Sequence, residues 1–193
     1  MKSPIERRRF LQTGLATTGA LTVAPVLSAA QQLSATRPVH VASNQYPWMV
    51  YLRREERDFG SEMAQALAEA KESGLDGFEP LVSSTAQIET MGPLMQGLKL
   101  EMRSIYMGAV LHEEDVAKAN IEKALAVAES GKKFGCKILV VNPQPLGGGN
   151  EAGKTDAQIR TQARMMDVLG RQLREADVTL AYHYHTPGMQ HAA

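Results

Sequence analysis

The sequence predicts an α/β fold, a parallel sheet built from about five βα units. Short apolar, β-branched runs alternate with longer runs whose apolar residues recur at helical spacing. The long runs carry helix caps and glycine stops. The fourth short run, Ile138-Leu139-Val140-Val141, is continuously apolar, as befits a strand covered on both faces. Strands separated by amphipathic helices pair in parallel, because each crossover returns the chain to the same end of the sheet.

The first strand is expected over residues 39–45. A helix over 62–73 follows, with Met63, Ala66, Leu67 and Ala70 on one face and Gly74 placed to end it. The second strand spans 75–81. Ser84-Thr85-Ala86-Gln87 is a capping-box signature and opens a helix running to about Gly97. The third strand covers 99–107. Glu113, Glu114 and Asp115 put negative charge at the next helix N-terminus, where the helix dipole favours it, and Gly135 follows its last turn. The fourth strand covers 137–142. Ile159, Ala163, Met166, Leu169 and Leu173 mark the last long helix, and the fifth strand covers 178–185.

Catalytic groups in parallel α/β folds gather at the carboxyl ends of strands. Those ends carry Asn44 and Gln45, Glu79, Tyr106, Asn142, then His183 and His185. Each has an ordinary structural explanation by itself, but five polar strand ends in succession point to one polar pocket. His183 and His185 stand two apart on a strand and so face the same side. Two imidazoles in one small volume can bind a metal, shuttle protons or hydrogen-bond hydroxyls. Tyr182 and Tyr184 then face the helix layer. His40 sits at the opposite end of its strand and reads as structural, and His112 reads as a cap or surface group. His191, in the tail, carries little information.

Gly148 to Thr155 satisfies the phosphate-loop pattern of a glycine, four residues, then Gly-Lys-Thr, between a strand and a helix. A nucleotide-binding protein using Lys154 is therefore an alternative reading. Against it, Pro143 to Gly147 separates the pattern from its strand, and Thr155-Asp156-Ala157-Gln158 is a capping box in its own right. Lys154 is also placed to reach a substrate anion from a loop above the pocket.

Formal charge balances over the whole chain but not along it. In the first thirty residues Lys2, Arg7, Arg8 and Arg9 against Glu6 give +3, so the remainder carries −3. A mildly acidic body argues against a nucleic-acid binder. Cys136 is the single cysteine, which excludes an intrachain disulfide, and it reads as a buried structural thiol. Arg7-Arg8-Arg9-Phe10-Leu11-Gln12 resembles a twin-arginine export motif. Its weakly apolar successor, residues 14–27, is too short and polar to anchor stably in a membrane, and Ser28-Ala29-Ala30 offers a cleavage site. The expected layout is a signal peptide over 1–30, a linker over 31–38 and the folded domain over 39–193, exported to the periplasm.

Three stretches carry a family resemblance: Gly74-Leu75-Asp76-Gly77-Phe78-Glu79-Pro80-Leu81, residues 137–143, and Leu180-Ala181-Tyr182-His183-Tyr184-His185. With them the segment 39–193 resembles the sugar phosphate isomerase/epimerase proteins with a xylose isomerase-like TIM barrel. The last stretch is similar to the family's Tyr-His-Asn-His element, with Tyr184 in place of Asn. The resemblance implies a (βα)8 TIM-barrel type fold, of which about five of the usual eight units are present, and hence an incomplete barrel exposing sheet edges that invite self-association. It implies a small-molecule sugar or polyol as partner. Glu79 and His183 are the expected catalytic residues, and Gln45, Asn142, His185 and Lys154 the expected substrate-binding ones. The family's divalent metal (Mn2+, Mg2+, Co2+ or Zn2+) is held by Glu, Asp, His and Glu from the second half of the barrel. The first of these Glu positions falls on Gly188. No complete metal site is therefore expected, with His183 or His185 giving at most one ligand. A further alternative is a half-barrel that only binds carbohydrate.

Overall fold

A computed structural model of the protein describes residues 39–146 and 153–185, and from His40 onward these belong to one compact unit. The described elements are β1 (Ala42–Asn44), α1 (Gln45–Arg54), α2 (Met63–Glu72), β2 (Gly77–Glu79), α3 (Thr85–Gly97), β3 (Ser104–Ala109), α4 (Glu114–Lys132), β4 (Ile138–Pro143), α5 (Asp156–Glu175) and β5 (Thr179–Tyr182). The expected signal peptide and linker, Gly148 to Ala152, Gly188 and His191 lie outside the described residues. Among the described residues no helix is long and apolar enough to cross a membrane.

Sequence signals explain most boundaries. Ser84 with Gln87, and Thr155 with Gln158, form the capping boxes that open α3 and α5. Gly74 and Gly135 both take φ +94°, the left-handed conformation that stops α2 and α4. Several boundaries need correction: the first strand starts at Ala42 rather than residue 39, and the second covers Gly77–Glu79 rather than 75–81. Gln45 is not the tip of a strand: it is the first residue of α1, capped by Asn44, whose Oδ1 accepts the Tyr46 N–H at 2.7 Å. The third strand begins at Ser104 rather than residue 99, because Lys99 turns the chain at φ +55° after α3. The fifth strand stops at Tyr182, with His183 to His185 beyond it.

All strand pairs are parallel. One sheet has the order β1-β2, the other β3-β4-β5. Isolated parallel bridges, Gly77 to Glu101 and Leu81 to Tyr106, join the two. From Gly77 to Leu81 is a step of four residues, and from Glu101 to Tyr106 a step of five. One extra residue on the second side interrupts the ladder as a bulge does. The spatial order is thus 1-2-3-4-5 without reversal. A doubly wound sheet reverses its strand order at a switch point. Barrel winding adds each strand beside the previous one, so the fold is of the TIM-barrel type, in a partial form.

The core lies between the sheet and its helices. Ile105, Met107 and Ala109 of β3, with Leu139 and Val141 of β4, are buried in one cluster with Ala124 and Val127 of α4 and Leu169 and Leu173 of α5. Burying each Leu contributes about 1.5–3 kcal/mol. α4 rides close on β3, since a Cβ at Gly131 would stand 2.3 Å from Ile105 Cδ1. The opposite face of the sheet, bearing Ser104, Tyr106, Ile138, Val140 and Asn142, is only half-buried. The apolar run of the fourth strand therefore has one face under helices and one face toward the candidate site. Cys136 is buried, and burial pushes its thiol up despite a contact with the Ile138 carbonyl.

Candidate functional site

The carboxyl ends of β1, β2 and β5 open on a cavity of about 610 Å3, a volume suited to a small ligand, and β3 reaches it through Tyr106, which lies in mid-strand rather than at the expected strand end. Asn44, Tyr46, Pro47, Glu79, Leu81, Tyr106, His183 and His185 line it. Two further cavities, at the α5–β5 flank and between α1 and α2, lie away from the strand tips. The strand-end cavity alone combines a carboxylate, a phenol and imidazoles, and such convergent polar groups mark it as the candidate site.

Glu79 is held from both sides. Its Oε1 accepts from Asn44 Nδ2 at 2.6 Å, and its Oε2 accepts from the Ser104 hydroxyl. Asn44 is itself fixed, because its Oδ1 caps α1 while its amide nitrogen points at Glu79. The cap of one helix thus orients a carboxylate on the neighbouring strand. Tyr106, next along the rim, is edge-on to His183, with ring centroids 5.1 Å apart. Burial pushes the Tyr106 phenol above its ordinary range, the nearby Asn142 side chain pulls the other way, and the Glu79 charge adds to the rise. At neutral pH the phenol therefore keeps its proton and offers a donor to the cavity. The His183 backbone N–H donates to the Val141 carbonyl at 2.9 Å, extending the parallel ladder past β5. The His183 and His185 Nε2 atoms stand 3.2 Å apart, so the expected same-side pair is present. Tyr182 and Tyr184, on the alternate side, stack on each other and are exposed.

Glu79, His183 and His185 of the expected set come together in the cavity; Asn142 adjoins it through Tyr106. Gln45 does not line it. Gln45 is buried, and its Oε1 accepts the Leu81 N–H at 2.9 Å, so it ties α1 to the end of β2. Lys154 is not among the lining residues either. It is 2% exposed and donates to Gln162 Oε1 on α5, and burial pushes its pKa down. Thr155 closes the α5 capping box. His112, expected as a cap or surface group, is buried, with Nε2 3.3 Å from Glu113 Oε1 and with no partner for Nδ1 among the described residues. His40 lies beside Gly77 and Glu101, at the opposite end of the strands from the cavity.

Sequence reading missed Ser104, Tyr46 and Pro47 at this site. Tyr46 and Pro47 were findable: Asn44 is a good N-cap residue, and proline is tolerated in a first helical turn. Ser104 had no signal, since it opens a strand whose start the apolar pattern does not fix, and its partner Glu79 sits on another strand.

No family model matches the chain, and no curated protein matches it. Solved structures do. A sugar phosphate isomerase/epimerase from Parabacteroides distasonis superposes with a TM-score of 0.59 at 13% identity, covering 79% of this chain and 54% of that one. A D-allulose 3-epimerase from Methylomonas sp. gives 0.57 at 13% identity, covering 75% and 51%. A xylose isomerase-like TIM barrel protein from Mycobacterium smegmatis, in complex with magnesium, gives 0.51 at 16% identity, covering 62% and 45%. The chain spans about half the length of these structures.

The magnesium of the last neighbour invites a test of fit. Among the described residues no three His, Cys, Asp or Glu converge as a metal group. Glu79 is the one carboxylate lining the cavity, and both its oxygens already accept hydrogen bonds. Magnesium favours octahedral oxygen donors, and the described residues do not fit such a cage. By strand order and by these neighbours, the chain has the fold of the xylose isomerase-like TIM barrels, in the partial form of about five βα units.

Proposed function

We propose that the chain acts on a sugar or sugar-like polyol in the strand-end cavity, as an isomerase- or epimerase-like protein. The observation that carries this reading is Glu79, fixed between Asn44 and Ser104 on the wall of a cavity that also bears Tyr106 and His183. A pinned carboxylate is suited to take a proton from carbon beside a carbonyl, where geometry counts before basicity. The protonated Tyr106 phenol is suited to hydrogen-bond the oxygen that gains charge as the proton leaves. His183 is the proposed partner acid, with His185 and Asn142 as contacts for hydroxyl groups. The named activities of the structural neighbours, a sugar phosphate isomerase/epimerase and a D-allulose 3-epimerase, belong to the same reaction class.

The test is exchange of carbon-bound hydrogen for solvent deuterium, followed by NMR on a panel of aldoses, ketoses and polyols. Exchange in the unaltered chain that disappears in Glu79→Gln supports the reading. Binding of the same sugars without exchange would leave a carbohydrate-binding role, and neither binding nor exchange would overturn it. The twin-arginine-like leader further supports export as a proposal, tested by fractionating cells that express the chain and its Arg7→Lys, Arg8→Lys, Arg9→Lys variant.

A further inference from the structure

The oxygen-rich cage of the fold's magnesium-bearing neighbour has no counterpart among the described residues, but a different set of donors does converge. We propose that His183 and His185 form a two-nitrogen chelate for a borderline divalent ion of the Zn2+, Ni2+ or Cu2+ class. The Nε2 atoms are 3.2 Å apart, and the rings meet at 61°. With metal–nitrogen bonds of about 2.0–2.1 Å, that spacing subtends an angle of about 100° at a shared ion, close to tetrahedral. The pair has a second description, in which one imidazole N–H donates to the other's bare nitrogen. The proton of that pair lies between the two nitrogens, whereas a chelated ion stands to one side of the line joining them, so taking up the ion displaces the proton and turns the rings.

His183 is anchored by its backbone bond to Val141 and by the edge-on Tyr106 ring. His185 is exposed at the cavity mouth. Glu79 and Tyr106 line the same cavity as the pair. Imidazole selects Zn2+, Ni2+ and Cu2+ over Mg2+, which prefers carboxylate and water. The proposal stands on the imidazole geometry and does not depend on the carbohydrate reading. When an ion is bound, His183 Nε2 is no longer a proton carrier, and Glu79 is left as the group that moves protons.

The probe is Cu2+ alone, added to the full chain and read by electron paramagnetic resonance, with Zn2+ as competitor. One strongly held ion per chain is expected, showing splitting from two equivalent-type nitrogens, displaced by Zn2+ and not by Mg2+. His183→Asn and His185→Asn should each weaken binding at least ten-fold, and His40→Asn should leave it unchanged. Single-nitrogen splitting in the unaltered chain, or binding that survives both substitutions, would overturn the proposal. The nitrogen count on the unaltered chain stands whether or not a variant folds. Metal binding with neither sugar binding nor sugar-dependent hydrogen exchange would sink the carbohydrate reading and leave this one, and exchange without metal binding would do the opposite.

Discussion

The Gln45 side-chain carbonyl accepts the backbone N–H of Leu81 at 2.9 Å, joining the first turn of α1 to the residue two beyond β2. Gln45 is 7% exposed, so Gln45→Ala would strand a donor in a dry setting, at a cost of about 1–3 kcal/mol. Urea unfolding should register this as a lower midpoint with an unchanged slope. Unchanged stability together with weakened sugar binding would instead make Gln45 a ligand contact.

Glu79→Gln keeps the shape of the side chain and removes its charge. Its oxygen can still accept from Asn44, and its amide nitrogen can donate to the Ser104 hydroxyl, which turns from donor to acceptor. Loss of a positioned proton carrier lowers rates by about 10²–10⁴-fold. Solvent-hydrogen exchange into sugar should fall by that order, with the melting curve little changed. Exchange equal to that of the unaltered chain would remove Glu79 from the chemistry.

His112 makes stability depend on pH. Burial, and then the nearby Lys154 charge, hold its pKa below the ordinary 6.5, with Glu113 opposing. The unfolded chain therefore takes up a proton at about pH 6.5 while the folded chain resists it. Stability should fall as pH drops below about 6.5, until the lowered folded value is reached, then level off. His112→Gln should flatten this part of the profile, measured as urea midpoints between about pH 5 and 8. An identical slope in the variant would place the effect elsewhere.

Two glycines should behave oppositely. A Cβ at Gly131 would meet Ile105 Cδ1 at 2.3 Å and Cys136 Cβ at 3.1 Å, so Gly131→Ala should cost about 1–3 kcal/mol as α4 is pushed from β3. At Gly97 nothing lies within 4 Å, and Gly97→Ala should be neutral or stabilise by up to about 1 kcal/mol through the unfolded chain. Paired thermal melts decide it.

What was legible in the sequence was mostly local. Ser84 with Gln87 and Thr155 with Gln158 announce helix starts because the bonds they make span only a few residues. Alternation between periods of two and 3.6 gave the order of units. The helix α1 was hidden because Asn44, Gln45, Tyr46 and Pro47 read equally well as a strand end and a turn; only the cap bond to Tyr46 decides between them. His183 and His185 were legible as a pair because strand geometry alone sets two neighbours on one side. Lys154 was misleading. Its motif spacing suggested a loop reaching toward ligand, whereas its partner, Gln162, lies two turns along the following helix and satisfies it there. Ser104 was not legible, since hydrogen bonds between strands depend on register, which apolar pattern does not count to the single residue.

The unequal steps between the two bridges joining β2 and β3 carry a consequence for how this rim can change. Removing one residue between Glu101 and Tyr106 would let both rungs stay in step and would even regularise the ladder. Glu79 and Ser104 each stand two residues before the Leu81–Tyr106 rung, so the carboxylate and its hydroxyl neighbour are in step with that rung, and the extra residue lies between Glu101 and Ser104. Loss of Met102 or Arg103 would thus even out the ladder and spare this contact, whereas loss of Ile105 would turn the hydroxyl to the other face: the rim tolerates a change of length on one side of a single serine and not on the other.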